Sequence, residues 1–162
     1  ISRLETAMIS LSVQPVFLND LLVTAVNGIY EKARKKNIEI ALQEIENISL
    51  QLDEHWTSEA IINVLDNAVK YSPEYSHINI SVQKQHFYTR IEITDEGIGI
   101  QESEYNKIFL RFYRSNELAI KKIEGSGVGL YLTRMILERQ GGTISVKSAP
   151  GKGSTFILQF KN

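Results

Sequence analysis

Two pairs of alternating segments, each folding back through a short turn, constrain the fold of this chain more than any other feature. In residues 77–95, HINISVQKQ and YTRIEITD alternate apolar and polar residues on either side of His86 and Phe87. In residues 143–160, TISVKSA and STFILQF alternate on either side of a turn that contains Gly151. Alternation with a period of two indicates strands that bury one face, and short turns join such strands as hairpins. These segments predict a largely antiparallel sheet with one face to be covered.

Helices interleave with these strands and are expected to cover that face. One is predicted from a cap at Asn19 or Asp20 to about Lys36, and another at 53–71, which Ser72 and Pro73 end. The other predicted segments are a helix tail at 1–8, strands in VQPVFL, IEIALQ and ISLQL, a short helix at 102–110, a mobile loop at 115–126, and a helix at 127–139 ended by Gly141 and Gly142. The predicted class is α+β: a two-layer α/β sandwich with a mixed, mostly antiparallel sheet and helices on one face.

Composition limits what this chain can be. Its 162 residues, 43% hydrophobic and 23% charged, fit one globular domain with a substantial core. The net charge of -1 and pI of about 6.4 give no basic footprint, so no nucleic-acid partner is expected. The absence of cysteine excludes disulfides and thiolate metal sites. No apolar run reaches the length of a membrane span.

The helix predicted at 53–71 carries a polar column beside its apolar face. The column consists of Asn63, Asn67, Lys70 and Tyr71. These side chains line up because positions i, i+4 and i+7 or i+8 share one face of a helix. A second face, formed by Ile62, Leu65 and Val69, is predicted to be core. A good apolar face does not require the polar column, so the column is a candidate binding surface.

The segment IEITDEGIGI, at 91–100, runs from an alternating strand into Asp95 and two glycines. A carboxylate at a strand end can accept an N–H donor from a ligand, and Gly97 and Gly99 leave room for a flat ring. The alternative is a loop in which Asp95 only caps the next turn.

The segment GSGVGLYLTRMI brings Gly125, Gly127 and Gly129 to the start of an amphipathic helix. Free N–H groups and the positive end of the helix dipole make such a start an anion site. The spacing matches neither the P-loop nor the dinucleotide fingerprint. The alternative is a flexible hinge with an N-cap at Ser126.

Together, the three segments predict an adenine-nucleotide site. An amide oxygen of the polar column can ligate Mg²⁺, which favours hard oxygen ligands and is usually held by few protein groups plus phosphates and water. Lys70 can neutralise phosphate charge, and Tyr71 can offer an aromatic face to a base. Asp95 can accept an exocyclic amine, and the glycine-led helix can hold the phosphates.

Four motifs, in order, resemble those of the catalytic, ATP-binding domain of sensor histidine kinases, in the superfamily that includes gyrase-type topoisomerases, MutL and the heat-shock chaperone ATPases. NVLDNAVKYSP resembles the N box, DEGIGI the first glycine box, IFLRFYRS the F box and GSGVGL the second glycine box. In addition, GKGSTFILQF resembles the closing hairpin of the domain. The resemblance covers about 15–160. It implies a Bergerat-type ATP-binding domain at 13–162, preceded at 1–12 by the end of a dimerisation and phosphoacceptor helix with its linker.

The resemblance also implies roles for individual residues. Asn67 would ligate Mg²⁺, and Asn63, Lys70 and Arg114 would serve catalysis. Asp95 would bind the adenine amino group. The full nucleotide-binding set would be Asn63, Asn67, Lys70, Tyr71, Asp95, Gly97, Gly99, Ile100, Phe109, Arg114, Gly125, Ser126, Gly127, Val128, Gly129, Leu130 and Thr155. Phe109 and Phe112 would anchor a lid, although both would be core in any fold. Tyr71 could instead be a simple helix-end aromatic. Lys121 and Lys122 could touch phosphate, but a solvated charged loop is the favoured interpretation.

One departure from the family pattern concerns the phosphoacceptor. In that family it is a histidine within an acidic motif of a preceding helical domain, and His55, His77 and His86 have no such context. The chain also begins with Ile1, which suggests a fragment that holds the phosphoryl donor without its acceptor. Glu124 stands where many relatives have glycine.

The partners implied are the dimerisation and histidine phosphotransfer domain of the same protein and, downstream, a response regulator. The fragment would be a monomeric cytoplasmic domain that binds ATP and Mg²⁺. The parent would be a homodimeric sensor in the inner or plasma membrane.

Three alternatives carry different predictions. A nucleotide-binding module that has lost catalysis would act through protein contacts alone, but Asn67, Asp95 and the glycines are all present. An ATP-driven clamp of the topoisomerase or MutL kind commonly has a catalytic glutamate where this chain has Asn63, and an amide cannot act as a general base. An anti-sigma-factor-type serine kinase shares the fold and would transfer phosphate to a protein serine.

Overall fold

The computed structural model describes residues 10–43, 46–110, 113 and 129–162 of the chain. Its elements in chain order are β1 (Val13–Phe17), α1 (Leu18–Lys35), β2 (Glu39–Leu42), β3 (Ser49–Asp53), α2 (Glu54–Tyr71), β4 (His77–Lys84), β5 (Tyr88–Thr94), two 3-10 turns (Glu102–Glu104 and Lys107–Phe109), α3 (Gly129–Arg139), β6 (Thr143–Ser148) and β7 (Ser154–Lys161). Both predicted hairpins form, because β4 pairs with β5 and β6 pairs with β7 in antiparallel fashion.

The main sheet has five strands in the order β2–β4–β5–β7–β6. β2 runs parallel to β4, and the other neighbouring pairs are antiparallel. β1 and β3 form a separate antiparallel pair, in which Val13 lies opposite Asp53. The two strands predicted in IEIALQ and ISLQL therefore belong to different sheets. The predicted class, α+β with a mixed and mostly antiparallel sheet, is confirmed.

The helices cover one face of the main sheet and share a single large core with it. Along β5, Ile91 and Ile93 are fully buried, whereas the alternate positions face the other side. α2 lies between α1 and α3 and contacts both. Its Leu65 and Val69 are buried as predicted, and Ile62 is partly buried against the same core. Burial of each such side chain contributes about 1.5–3 kcal/mol, which fixes the helix and therefore its polar column.

The two longer helices begin differently. α1 starts at Leu18 after Phe17 and has no side-chain cap, so the prediction that Asn19 or Asp20 caps it is wrong. The N–H of Leu18 donates instead to Ile48 O at 2.8 Å, because pairing of β1 with β3 brings this carbonyl to the helix start. α2 follows the prediction closely. Asp53 is its N-cap, and its Oδ1 accepts from the N–H of Trp56 at 2.8 Å.

Residues 102–110 do not form the short helix that the sequence predicts. They form two 3-10 turns, with Tyr105 N bonded to Glu102 O at 3.2 Å and Leu110 N bonded to Lys107 O at 2.9 Å. So short a segment cannot sustain an α-helix on its own. Contacts with the rest of the fold decide its shape, and the Tyr105 hydroxyl is bonded to the backbone of Ser148.

The last helix ends as predicted, at Arg139, and Gly141 follows with a φ of 78°. It is described from Gly129, so its predicted start at 127 lies outside the described residues. The helix tail predicted at 1–8 and the loop predicted at 115–126 also lie outside them. Among the helices that are described, none has the length and apolarity needed to cross a membrane.

Candidate functional site

Asp95 follows the last residue of β5 and is held by the start of β7. Its Oδ1 accepts from the N–H of Gly97 at 2.8 Å and from the N–H of Ser154 at 3.1 Å. Its own N–H donates to Ser154 O at 2.8 Å. The residue is only 7% exposed. Oδ1 is therefore fixed by the protein, and no described residue donates to Oδ2.

The surroundings of Asp95 oppose its negative charge. Burial raises the pKa of the carboxyl, and the N–H groups of Gly97 and Ser154 lower it by a smaller amount. A buried carboxylate that accepts two hydrogen bonds from the described residues has fewer donors there than it would have in water. A further N–H donor at Oδ2 would relieve that penalty, which suits the site to a ligand that carries an amino group.

Three glycines keep the backbone close around this carboxylate. A Cβ on Gly97 would lie 2.8 Å from Tyr71 O and 3.0 Å from Asp95 Oδ1. Gly99 has a φ of 78°, and its Cβ would lie 1.9 Å from Ala149 O. Gly153 has a φ of 75°, and its Cβ would lie 2.1 Å from Asp95 O. No side chain other than hydrogen fits at these positions, because the atoms in the way are backbone or the carboxylate itself.

Gly153 and Ser154 were not predicted as site residues. The turn GKGS was visible in the sequence, but its contact with Asp95 depends on the register of β5 against β7, where Thr94 lies opposite Thr155. Thr155, which was predicted, lies at this end of β7. Its hydroxyl is 3.0 Å from that of Thr94.

The polar column of α2 lies beside the first turn of α3. Asn63 Nδ2 donates to Gly129 O at 3.3 Å. A Cβ on Gly129 would lie 3.7 Å from the Asn63 side chain, so the two helices are close here. Thr133 strengthens the same junction, since its buried hydroxyl is 3.0 Å from both Ala60 O and Gly129 O. The glycine-led helix and the asparagine column therefore meet, as a shared phosphate site requires.

Asn67, one turn further along, makes no side-chain hydrogen bond to the described residues and is half-buried. Its amide oxygen is a hard ligand of the kind Mg²⁺ accepts. Within the described residues, no group of three or more His, Cys, Asp or Glu could hold a metal ion.

The ammonium of Lys70 is held by a carboxylate that the sequence analysis did not identify. Lys70 Nζ lies 2.9 Å from Asp66 Oδ2, and Lys32 Nζ lies 3.0 Å from Asp66 Oδ1. Burial raises the pKa of Asp66, but hydrogen bonds from Lys70 and Lys32 outweigh it, and the net pKa is lowered. Asp66 stays charged and orients Lys70. The signal for it was its position four residues before Lys70.

The end of α2 is joined directly to the Asp95 loop. Tyr71 O accepts from the N–H of Ile98 at 3.3 Å. The Tyr71 side chain is half-buried. The backbone of this residue therefore holds the base side of the predicted site against the last turn of the polar column.

The remaining predicted residues differ in their relation to the site. Phe109 is core, with its ring edge-on to Phe156 at 6.3 Å and the Arg134 guanidinium 5.9 Å from its centre. Ile100 and Leu130 pack against the core, and Ile100 N donates to Ser148 Oγ at 2.7 Å. Six predicted residues lie outside the described part of the chain: Phe112, Arg114, Gly125, Ser126, Gly127 and Val128.

The sequence of this chain matches a known protein family. The family described as "Histidine kinase-, DNA gyrase B-, and HSP90-like ATPase" matches residues 52–162, which include Asn63, Asp95 and Gly129. Among curated proteins, the chain is 31% identical over 161 residues to the circadian input-output histidine kinase CikA of Synechococcus elongatus. That match covers 98% of this chain and 21% of CikA.

Two solved structures show the same fold. Full-length ShkA in complex with AMPPNP matches with a TM-score of 0.83 and 26% identity, over 98% of this chain and 33% of ShkA. Histidine kinase ThkA in complex with the response regulator protein TrrA matches with a TM-score of 0.78 and 25% identity, over 99% of this chain and 47% of ThkA. The chain spans about one fifth of the length of the first curated relatives it matches. By its matched residues and its fold, the chain belongs to the family of histidine kinase-, DNA gyrase B- and HSP90-like ATPases.

Proposed function

We propose that this chain is the ATP-binding catalytic domain of a sensor histidine kinase. It presents the γ-phosphate of ATP to a histidine on a separate domain, from which the phosphoryl group passes to an aspartate of a response regulator. The observation that carries the proposal is the Asp95 carboxylate, with Oδ1 fixed by two N–H groups and Oδ2 without a donor among the described residues. Relatives named as histidine kinases, and the structure of ShkA with AMPPNP, support it.

The adenine would be recognised at the junction of β5 and α2. Asp95 Oδ2 would accept the exocyclic amine of the base, directly or through water. Gly97 and Gly99 leave no side chain above the loop, so a flat ring can approach the backbone. Tyr71 would pack near the ring edge. Ile100, which packs against the core beside this loop, would set the floor of the pocket.

The phosphates would lie between the polar column and the start of α3. Asn67 would ligate Mg²⁺, with Asn63 beside it, and Lys70 would contact a phosphate oxygen. When bound, Mg²⁺ would neutralise charge on the β- and γ-phosphates. Arg114 would reach the terminal phosphate, and residues 125–130 would close over it with their backbone N–H groups. Phe109, packed on Phe156, would anchor the segment that leads into this closure.

Transfer itself requires positioning more than covalent chemistry from this domain. An imidazole nitrogen of the partner domain attacks the γ-phosphorus, the bond to the β–γ bridging oxygen breaks, and ADP leaves with the electron pair. Preorganised cations and N–H groups offset the charge that develops.

The first test is a calorimetric titration of a non-hydrolysable ATP analogue with Mg²⁺ into the chain and its Asp95→Asn variant. An amide at this position can turn its NH₂ group toward the base amine, so we expect the affinity to fall about 100-fold. Glu96→Gln is the matched control, since this neighbouring carboxylate is exposed and contacts His77 instead. Failure of the unmodified chain to bind, or equal losses in both variants, would contradict the proposed site.

The second test is phosphoryl transfer. The chain alone, incubated with labelled ATP, should remain unlabelled, whereas a dimerisation and phosphotransfer domain from the same protein should acquire acid-labile label when added. Acid-labile label on the chain itself would contradict the division of labour between domains. Acid-stable label on a protein serine would favour a serine kinase of the same superfamily instead.

The setting of the domain in a longer protein is part of the same proposal. Residues 1–12 would be the end of a dimerisation helix and its linker, and residues 13–162 the catalytic domain. The isolated domain would be monomeric, the parent a homodimer, and the response regulator its downstream partner. The complex of ThkA with TrrA supports such a partner. A cytoplasmic location, and a membrane-bound parent, follow from the proposed role as a sensor kinase.

A further inference from the structure

Lys36, the C-cap residue that follows α1, inserts its ammonium into the C-terminal end of α2. Its Nζ donates to Val69 O at 2.8 Å, to Lys70 O at 3.2 Å and to Ser72 O at 2.5 Å. A lysine ammonium has three donors, and here all three are used on the backbone of one helix end.

The helix end requires this lysine because its own sequence supplies no backbone cap. Helices often end with N–H groups just beyond the cap that fold back onto the last carbonyls. Here Ser72 is extended, with a φ of −92° and a ψ of 149°, and Pro73 has no N–H. Lys36 provides the missing donors, and its charge also matches the negative end of the helix dipole.

The last carbonyls of α2 are shared between two parts of the protein. Lys36 takes those of Val69, Lys70 and Ser72, while Tyr71 O accepts from Ile98 N, in the loop that follows Asp95. The backbone of Lys36 is fixed as well, since its carbonyl accepts from Tyr75 N at 3.0 Å. The final turn of α2 is therefore clamped between α1 and the Asp95 loop.

We propose that Lys36 is a positioning residue for nucleotide binding. It holds the last turn of α2, and with it Lys70 and Tyr71, at a fixed distance from the Asp95 loop. This inference rests on the proposed function, in which Lys70 contacts phosphate and Tyr71 lies near the base. Lys36 would contact neither the phosphate nor the base. It acts through the carbonyl groups of the turn that carries Lys70 and Tyr71.

Lys36→Met is the first variant, because methionine keeps an unbranched chain of similar length without the ammonium. The affinity for a non-hydrolysable ATP analogue with Mg²⁺ should fall about tenfold, since charge-assisted hydrogen bonds that order the turn are lost. Ile29→Val is the control for stability alone: Ile29 is a buried α1 residue and contributes only to the core. Its affinity should stay within about twofold of the unmodified chain when both are fully folded.

A double-mutant cycle separates positioning from a merely structural role. If Lys36 acts through the turn that carries Lys70 and Tyr71, then Lys70→Ala or Tyr71→Ala should weaken binding less in the Lys36→Met background than in the unmodified chain. Independent, multiplicative losses in both cycles would overturn the inference, and so would an unchanged affinity in a folded Lys36→Met variant. If Lys36→Met does not fold, Lys36→Arg is taken through the same cycle with the same criterion, because a planar guanidinium cannot reproduce the three-way contact. No binding by the unmodified chain would overturn the proposed function itself.

Discussion

The hydroxyl of Tyr105 is bonded to both backbone groups of Ser148: it donates to the carbonyl and accepts from the N–H at 2.8 Å. The Ser148 side chain extends this link, since its Oγ accepts from Ile100 N at 2.7 Å and donates to Gly153 O at 2.6 Å. Ser148 thereby joins three segments around the Asp95 loop: the one that follows it, the 3-10 turns, and the turn before β7.

Tyr105→Phe should reduce the free energy of unfolding by about 1–3 kcal/mol, because a half-buried N–H and carbonyl lose their shared partner. We expect the affinity for an ATP analogue to fall as well, since Ser148 supports Gly153 and, through it, the loop of Asp95. Urea denaturation and calorimetry measure the two effects. Tyr30→Phe is the control, because Tyr30 is 56% exposed and should tolerate the change. Equal stability of the two variants would show that the Tyr105 hydroxyl is not a structural link.

Gly99→Ala and Gly151→Ala separate the cost of a left-handed backbone from the cost of a steric clash. The φ angles of Gly99 and Gly151 are 78° and 76°. Alanine at either position would therefore have a left-handed backbone, which costs about 1–2 kcal/mol. Only Gly99 has a backbone atom in the way, Ala149 O at 1.9 Å from the added carbon, whereas nothing lies within 4 Å of the carbon added to Gly151. We expect Gly99→Ala to be several-fold more destabilising and to abolish nucleotide binding, and Gly151→Ala to retain it.

These two variants are measured together by thermal unfolding and analogue titration. If Gly99→Ala binds the analogue as well as Gly151→Ala does, the loop can move away from Ala149 without loss, and its close approach to the backbone has no role in the site.

Asp95→Asn should change how stability depends on pH. Burial raises the pKa of Asp95 in the folded chain above the ordinary value of 3.8. The folded state therefore holds this proton more tightly than the unfolded state, and stability is lost as pH rises from 3.8 through the folded pKa. The asparagine variant lacks this loss. As pH rises from about 3.5 to 7, the free energy of unfolding of the variant should increase relative to that of the unmodified chain. Urea denaturation across that range measures this difference.

A constant difference between the two proteins across the range would mean that burial of Asp95 has no cost. The expected outcome is a variant that binds nucleotide poorly yet is relatively more stable at neutral pH. That combination would show that the chain keeps a destabilising carboxylate for its chemistry.

The local patterns of the sequence predicted most of the fold. The alternation in 77–95 and 143–160 identified both hairpins, and the apolar face of 53–71 identified α2, because each pattern records burial within one element. The start of α1 was missed, since the N–H of Leu18 donates to the carbonyl of Ile48, which is 30 residues away in the sequence and adjacent only through pairing of β1 with β3. Residues 102–110 were missed for the same reason, because Ser148 decides the conformation of Tyr105.

The site residues also divide into those that a local motif identifies and those that only distant contacts bring in. Asp95, Gly97 and Gly99 stand in one contiguous motif, so the sequence alone singles them out. Gly153 and Ser154 reach Asp95 only through the register of β5 on β7, and Lys36 reaches the end of α2 only through the packing of two helices. Such contacts leave no periodic signal in a single sequence, because the partners are far apart along the chain.

Asp66→Asn should remove a source of stability that the unmodified chain has at neutral pH. Hydrogen bonds from Lys70 and Lys32 outweigh burial and lower the pKa of Asp66, so its contribution is present above the ordinary value of 3.8 and is lost as pH falls through the folded pKa. The pair with Lys70 is partly buried, with 19% exposure on the acid and 32% on the lysine, so we expect a loss of about 1 kcal/mol at pH 7. Urea denaturation at pH 7 and near pH 2 measures it, and the difference between the two proteins should shrink at the lower pH.

Glu31→Gln is the control for Asp66→Asn, because Glu31 also pairs with a cation, Arg34 at 2.9 Å, but is fully exposed on α1. Solvent screens that pair, and we expect the free energy of unfolding to be nearly unchanged. Asp66→Asn should also weaken binding of the ATP analogue, since Lys70 loses the carboxylate that orients it. A variant as stable as Glu31→Gln and equal to the unmodified chain in affinity would show that Lys70 needs no such anchor.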